Sequence, residues 1–160
     1  MTCQKILVAT DFSPASEAAL VYASALACQW NAKLLIVHVE GPPNVMTNEF
    51  LLMTQNFYPN PEVRRRLEAV VPTDKAVKYE HRLVQGEAGE EILRLAEQEF
   101  AGLIVIGTHG RIGVSRLLMG SVAEAVVRKA KCPVLTLKAT SEQVTSADLT
   151  TESTPVGSHV

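Results

Sequence analysis

The sequence predicts an α/β sandwich built on a parallel sheet, and three observations carry that prediction. Aliphatic runs of strand length recur at Lys5–Ala9, Leu34–Val39, Leu103–Ile106 and Val134–Leu137. They lack regular polar alternation, which suits strands buried on both faces. Between them lie segments with apolar residues at helical spacing, so strand and helix patterns alternate along the chain. The third observation is the placement of glycines. The run ending at Ile106 stops at Gly107, and Gly110, Gly113 and Gly120 follow before the next helical pattern begins.

In chain order, Lys5–Ala9 ends at Thr10-Asp11-Phe12-Ser13-Pro14, where Ser13 is a good N-cap and Pro14 a good first helical residue. The helix is expected to reach about Asn31, with Ala19, Ala23, Leu26, Ala27 and Trp30 at helical spacing. Leu34–Val39 completes a β-α-β unit. From Gly41 to Pro61 the chain is rich in Pro and Asn and reads as a loop, with a short helical piece around Glu49–Gln55 whose apolar members partly cover the site. Glu62–Val71 is predicted to be a helix. Its Arg64, Arg65 and Arg66 stand beside Glu62 and Glu68 without interleaved aromatics, so they read as a solvated face.

Lys78–Val84 alternates imperfectly and reads as a strand nearer the sheet edge. Gly86–Leu93 opens a helix with acidic residues in its first turn. Ile92, Leu95, Ala96 and Phe100 line one face of it, Glu90 and Arg94 form an i,i+4 pair, and Gly102 ends it. After the fourth strand, Ser121 and Glu124 form a capping box before apolar positions at Val122, Ala125, Val126 and Ala130. Arg128, Lys129 and Lys131 fill the last turn, Pro133 forbids continuation, and Val134–Leu137 is a short final strand. Ala139–Val160 is dominated by Ser, Thr and acidic residues and is expected to be a flexible tail.

Composition narrows the function classes. With 160 residues, 47% hydrophobic and 20% charged, the chain suits one globular domain. A formal net charge of −2 argues against a general nucleic-acid binder. No apolar run approaches the roughly 18 to 20 residues of a membrane span, and the N-terminus MTCQKILVATD lacks signal-peptide character. A cytoplasmic location is the expectation. Cys3, Cys28 and Cys132 are odd in number and scattered, and read as reduced thiols packed as small hydrophobes. His38, His81, His109 and His159 show no metal-ligand spacing, and no nucleophile with a supporting acid accompanies His109.

Two places carry chemistry. Asp11 lies just past the carboxyl end of the first strand, where ligands of open α/β sheets sit, and is assigned to a ligand rather than to catalysis. The glycine segment joins a strand to a helix N-terminus, where backbone N–H groups and the helix dipole favour an anion. Glycines in such a place also serve turns that need positive φ. Gly107, Gly110, Gly120 and Ser121 form a G-x2-G-x9-G-S pattern.

That pattern closely resembles the ATP-binding signature of the universal stress protein family, and the resemblance extends over about residues 3–138. It implies a three-layer sandwich, adenine nucleotide alpha hydrolase-like and Rossmann-like, with a five-stranded parallel sheet of order 3-2-1-4-5. The ligand crevice then lies between the first and fourth strands. The expected contacts are Ala9, Thr10, Asp11 and Val39 with the nucleoside, and Gly107, Thr108, His109, Gly110, Gly120, Ser121 and Val122 around the phosphates of ATP. Mg2+ would be held mainly through phosphate oxygens. The resemblance also implies a homodimer joined through Val134–Leu137. No catalytic residue is assigned, so at most a weak ATPase is expected. Two alternatives stay open: a nucleotide-independent dimeric interaction protein, and an ATP-hydrolysing or nucleotidyl-transferring enzyme of the same fold, although H-x-G-H, S-G-G-x-D-S and Walker A loops are missing.

Overall fold

A computed structural model describes residues 3–41, 60–108 and 119–138. The expected helical piece at Glu49–Gln55 and the expected tail from Ala139 lie outside these residues. The described elements are β1 (Lys5–Ala9), α1 (Pro14–Trp30), β2 (Lys33–Glu40), α2 (Pro61–Glu68), β3 (Tyr79–Gln85), α3 (Ala88–Gln98), β4 (Leu103–Gly107), α4 (Ser121–Lys129) and β5 (Val134–Leu137). All sheet pairings are parallel, and the order is β3-β2-β1-β4-β5, as the resemblance implied.

Strand alternation divides the core into two layers. Ile6, Val8, Leu34, Ile36, Leu103 and Val105 face α1 and α2, where they meet Ala19, Ala23, Ala27 and Leu67. Leu7, Ala9, Leu35, Val37, Ile104 and Ile106 face α3 and α4, where they meet Ile92, Leu95, Ala96, Ala123 and Val126. The sheet side of α1 is built from alanines four residues apart, and so small a stripe lets the helix lie close to the strands. Trp30, expected on that stripe, is 47% exposed. A 17-residue helix is roughly 25 Å long and overhangs five-residue strands of roughly 17 Å, so its last turn finds no sheet to cover. Asn31 then stops it in the left-handed region at φ 50°.

Several local expectations are corrected. α2 ends at Glu68 instead of Val71, because the chain must turn before the buried Pro72; at its start the Asn60 side chain accepts from the Glu62 amide. In α3, Arg94 pairs with Glu91 at i,i+3 and with Gln98, so the Glu90 pair does not form, while the Glu90 amide is taken by the Glu87 side chain at 2.8 Å. The left-handed residue after α3 is Phe100, at φ 54°. Gly102 serves another purpose: a Cβ there would stand 2.8 Å from Cys3 Sγ. α4 is capped by Gly120, with Ser121 as its first helical residue, so the Ser121–Glu124 capping box is absent. Its buried positions are Ala123 and Val126, with Glu124 paired to Arg128.

Cys3 and Cys132 are half-buried, and burial pushes both thiols up from the usual range. Cys28 departs from the expected packing. It is exposed and donates to Asp74 at 3.1 Å, a carboxylate whose hydrogen bond and charge raise the thiol's pKa. No helix among the described residues is long and apolar enough to cross a membrane.

Candidate functional site

The chain leaves β1 for α1 on one face of the sheet, and leaves β4 for α4 on the other. Neighbouring parallel strands whose continuations diverge open a crevice at their carboxyl ends. A cavity of about 450 Å³ occupies that position. Val37, Val39, Ile92 and Ile106 give it apolar walls, while Thr10, Asp11, Ser16, Thr108 and Ser121 bring polar groups to it. Such a lining suits a ligand with one flat apolar part and one polar part.

Of the residues expected at a ligand, Ala9, Thr10, Asp11, Val39, Gly107, Thr108, Gly120, Ser121 and Val122 all line this one cavity. Asp11 and Gly107 are thereby brought together from distant parts of the sequence. His109 and Gly110 lie outside the described residues, as do Arg111, Gly113 and Arg116.

The turn after β1 is held by a dense set of bonds. The Thr10 amide donates to Val37 O at 2.8 Å, and Thr10 Oγ1 accepts from the Phe12 amide at 3.1 Å. Ser16 Oγ donates to Ser13 O at 2.8 Å, so the 3.2 Å contact between Thr10 and Ser16 is donated by Thr10. Asp11 Oδ1 accepts from both the Ser13 amide, at 3.1 Å, and Ser13 Oγ, at 2.5 Å. Ser13 Oγ in turn accepts from the Ser16 amide and caps α1. These bonds leave Phe12 at φ 63°, uncommon for an aromatic residue.

The other wall depends on close backbone approaches at two glycines, the tighter of them at Gly107. A Cβ on Gly107 would come within 2.8 Å of the Ala15 backbone, so this glycine seats the first turn of α1 against the end of β4. A Cβ on Gly120 would stand 3.0 Å from Thr108 O. The Gly120 amide donates to that same carbonyl at 2.6 Å, while the Thr108 amide donates to Leu137 O at 2.7 Å. The Gly120 N–H is thus bonded within the protein, while the residue itself lines the cavity. The helix beyond it differs: glycine has no side chain to cap with, and among the described residues no side-chain bond closes the first turn of α4, which begins with the amides of Ser121 and Val122.

Sequence reasoning missed Ser16, Val37, His38, Ala88, Ile92, Ile106 and Ala123 as lining residues. Val37 and Ile106 carried a signal, because the pleat puts them on the same face as the expected Val39 and next to Gly107. Ala88 and Ile92 carried none. They reach the crevice only because the sheet order brings α3 over it. Among the described residues, no three His, Cys, Asp or Glu side chains are grouped so as to hold a metal ion.

Sheet order and crevice define an α/β protein of the adenine nucleotide alpha hydrolase-like class. The family model described as the universal stress protein family matches residues 2–138, and the chain belongs to that family. A universal stress protein of Methanocaldococcus jannaschii, MJ0531, is 32% identical over 146 residues, covering 84% of this chain and 82% of its own. Among solved structures, that of MJ0577 from the same organism aligns with a TM-score of 0.73 at 28% identity, covering 89% of this chain and 100% of the other. A universal stress protein in complex with cAMP aligns at TM-score 0.58 and 28% identity, covering 88% of this chain and 100% of its own. One from Archaeoglobus fulgidus in complex with dAMP aligns at 0.60 and 25%, with coverage of 86% and 100%.

Proposed function

We propose that this universal stress protein binds ATP in the crevice between β1 and β4 and acts as a regulatory module with slow or no hydrolysis. The observation that carries the reading is the convergence, in one cavity of about 450 Å³, of Asp11 with a helix start whose N-cap is a glycine and whose first turn has no side-chain cap among the described residues. Related structures hold cAMP and dAMP, which supports an adenine nucleotide as the ligand.

In this reading the base lies against the apolar walls near Val39 and Ile92, and Asp11 accepts from a hydroxyl or amine of the nucleoside. The phosphates lie at the first turn of α4, where the Ser121 and Val122 amides donate and the helix dipole favours negative charge. His109 and Gly110 are assigned to the same phosphate loop on the sequence motif. Mg2+ is held chiefly by phosphate oxygens and water, and supplies charge neutralisation. Binding of this kind stabilises the ground state. Fast hydrolysis needs a base to orient water and a cation on the transferring phosphoryl group; in this reading Asp11 is engaged by the nucleoside, and the described lining holds no Lys or Arg.

The same reading includes a homodimer through β5, an edge strand of four aliphatic or hydroxyl residues that among the described residues pairs only with β4. Residues 139–160 are assigned to a tail outside the domain of residues 1–138. Titration calorimetry with ATP and AMP in the presence of Mg2+, followed by a turnover assay, tests the reading. Saturable binding with far less than one turnover per second supports it, and many turnovers per second would replace it with the enzyme reading.

A further inference from the structure

His38 lines the cavity from the face of β2 opposite Val37 and Val39, and reaches across to the turn that carries Asp11. Its Nδ1 lies 2.7 Å from Thr10 O. A carbonyl can only accept, so Nδ1 carries the proton and donates. The same imidazole lies against the Phe12 ring, with centroids 4.4 Å apart, and the Arg66 guanidinium of α2 covers that ring at 4.3 Å. Phe12 is the residue forced to φ 63°, and it directly follows Asp11. Left-handed backbone at a bulky residue persists only where its surroundings over-determine it. Here the Thr10 hydroxyl holds the Phe12 amide, while His38 and Arg66 hold the ring.

We infer that His38 is a positioning residue: with Arg66 it fixes the Thr10–Phe12 turn and so sets the direction in which the Asp11 carboxylate meets the ligand. This rests on the assignment of Asp11 to a nucleotide. It adds a role for a side chain outside the glycine motif, and it connects α2 to the crevice through the stack Arg66–Phe12–His38. Each bond of this kind is worth a few-fold in affinity when it holds a contact in place.

The test is ATP affinity by calorimetry, with thermal melting alongside, for His38→Leu, His38→Asn, Asp11→Ala and the double variant His38→Leu with Asp11→Ala. Asparagine places an amide donor near the position of Nδ1, whereas leucine offers none. The expected result is an affinity loss of about three- to tenfold for His38→Leu, recovery to within about twofold for His38→Asn, and no further loss when His38→Leu is added to Asp11→Ala. A merely structural role would lower the melting temperature and leave the two losses additive. Wild-type affinity in His38→Leu, equal losses in the Leu and Asn variants, or an undiminished loss in the double variant overturns the inference while leaving ATP binding intact. If His38→Leu does not fold, Arg66→Gln, on the outer side of Phe12, is measured in the same cycle against Asp11→Ala with the same criteria. A wild-type protein that binds neither ATP nor AMP overturns this inference together with the nucleotide reading.

Discussion

Gly120 and Thr108 close the segment between β4 and α4 through a hydrogen bond of 2.6 Å from the Gly120 amide to the Thr108 carbonyl. The bond brings the start of α4 back to the end of β4, so the first turn of the helix opens onto the same cavity as Asp11. It also fixes what the glycine is for. A Cβ at residue 120 meets the Thr108 carbonyl, a protein atom, at 3.0 Å before any ligand is considered.

Gly120→Val is therefore expected to abolish ATP binding and also to lower thermal stability, by about 1 to 3 kcal/mol as overpacking against fixed backbone does. Gly120→Ala should show a milder form of both effects. Melting curves alongside calorimetry check this. A fully stable Gly120→Val protein with unchanged affinity would show that neither the loop closure nor the phosphate site depends on this glycine.

Ser121→Pro separates the amide from the fold. Position 121 opens α4, where proline is tolerated, and Gly120 before it has φ −60° and ψ 149°, the extended conformation that a following proline prefers. The helix should persist while one N–H donor is lost. ATP affinity is expected to fall about tenfold in Ser121→Pro and to stay near wild type in Ser121→Ala. Equal affinity in the two variants would remove the phosphate from this helix start.

Asp11→Ala removes both the contact assigned to the nucleoside and the acceptor for the Ser13 amide and hydroxyl. A loss of about 1 to 3 kcal/mol in ATP binding is expected, the scale for stranding a buried hydrogen-bonding partner. An unchanged affinity in a folded Asp11→Ala protein counts against the assignment.

Dimer formation is addressed by Thr136→Pro. Pro133 and Leu137 accept from Ile104 of β4 and from Thr108 just beyond it, so by alternation the Val134 and Thr136 amides point to the open edge. Proline at 136 spares the β4 ladder and removes an outward donor. Sedimentation is expected to show a dimer for the wild type and a monomer for Thr136→Pro at about 10 μM, where a loss of a few kcal/mol is decisive for micromolar association. A wild-type monomer at that concentration sinks the dimer.

Acid sensitivity should trace in part to Glu99. Hydrogen bonds from Lys5, at 2.6 Å, and from Arg82, at 3.2 Å, hold its carboxyl below the usual glutamate range. A depressed folded-state pKa gives stability that is present above the unfolded value, about 4.3, and is lost as pH falls through the lower folded value. The stability difference between wild type and Glu99→Gln, read by denaturant unfolding, should hold at pH 7 and shrink below about pH 4. A difference constant from pH 7 to pH 3 would show that the carboxylate charge is not what Glu99 contributes.

The sheet was legible because buried parallel strands announce themselves: Lys5–Ala9 and Val134–Leu137 lie at their expected bounds. Strand order was not readable from the strands and came with the glycine motif. Helix ends were less legible, since they depend on which side chain wins a local competition. Asn60 rather than Glu62 opens the second helix, and Phe100 rather than Gly102 takes the left-handed turn. In the cavity, nine expected residues converge because they flank strand ends, where sequence and crevice coincide. His38 was weighed only as a metal ligand, and its place at the crevice went unread for a physical reason. It meets Thr10 and Phe12 of the turn after β1, Phe12 in turn meets Arg66 of the second helix, and nothing local in LLIVHV signals these contacts.

The place of β1 between β2 and β4 has a consequence for synthesis. Residues 5–9 emerge early and can pair with β2 as soon as the first β-α-β unit is complete. Their other partner, residues 103–107, follows roughly a hundred residues later, which at about 5 to 20 residues per second means some 5 to 20 s on the ribosome. During that interval Ile6, Leu7 and Val8 present a bare apolar edge. The nascent chain is then most open to chaperones and to aggregation, and the crevice cannot exist until β4 arrives.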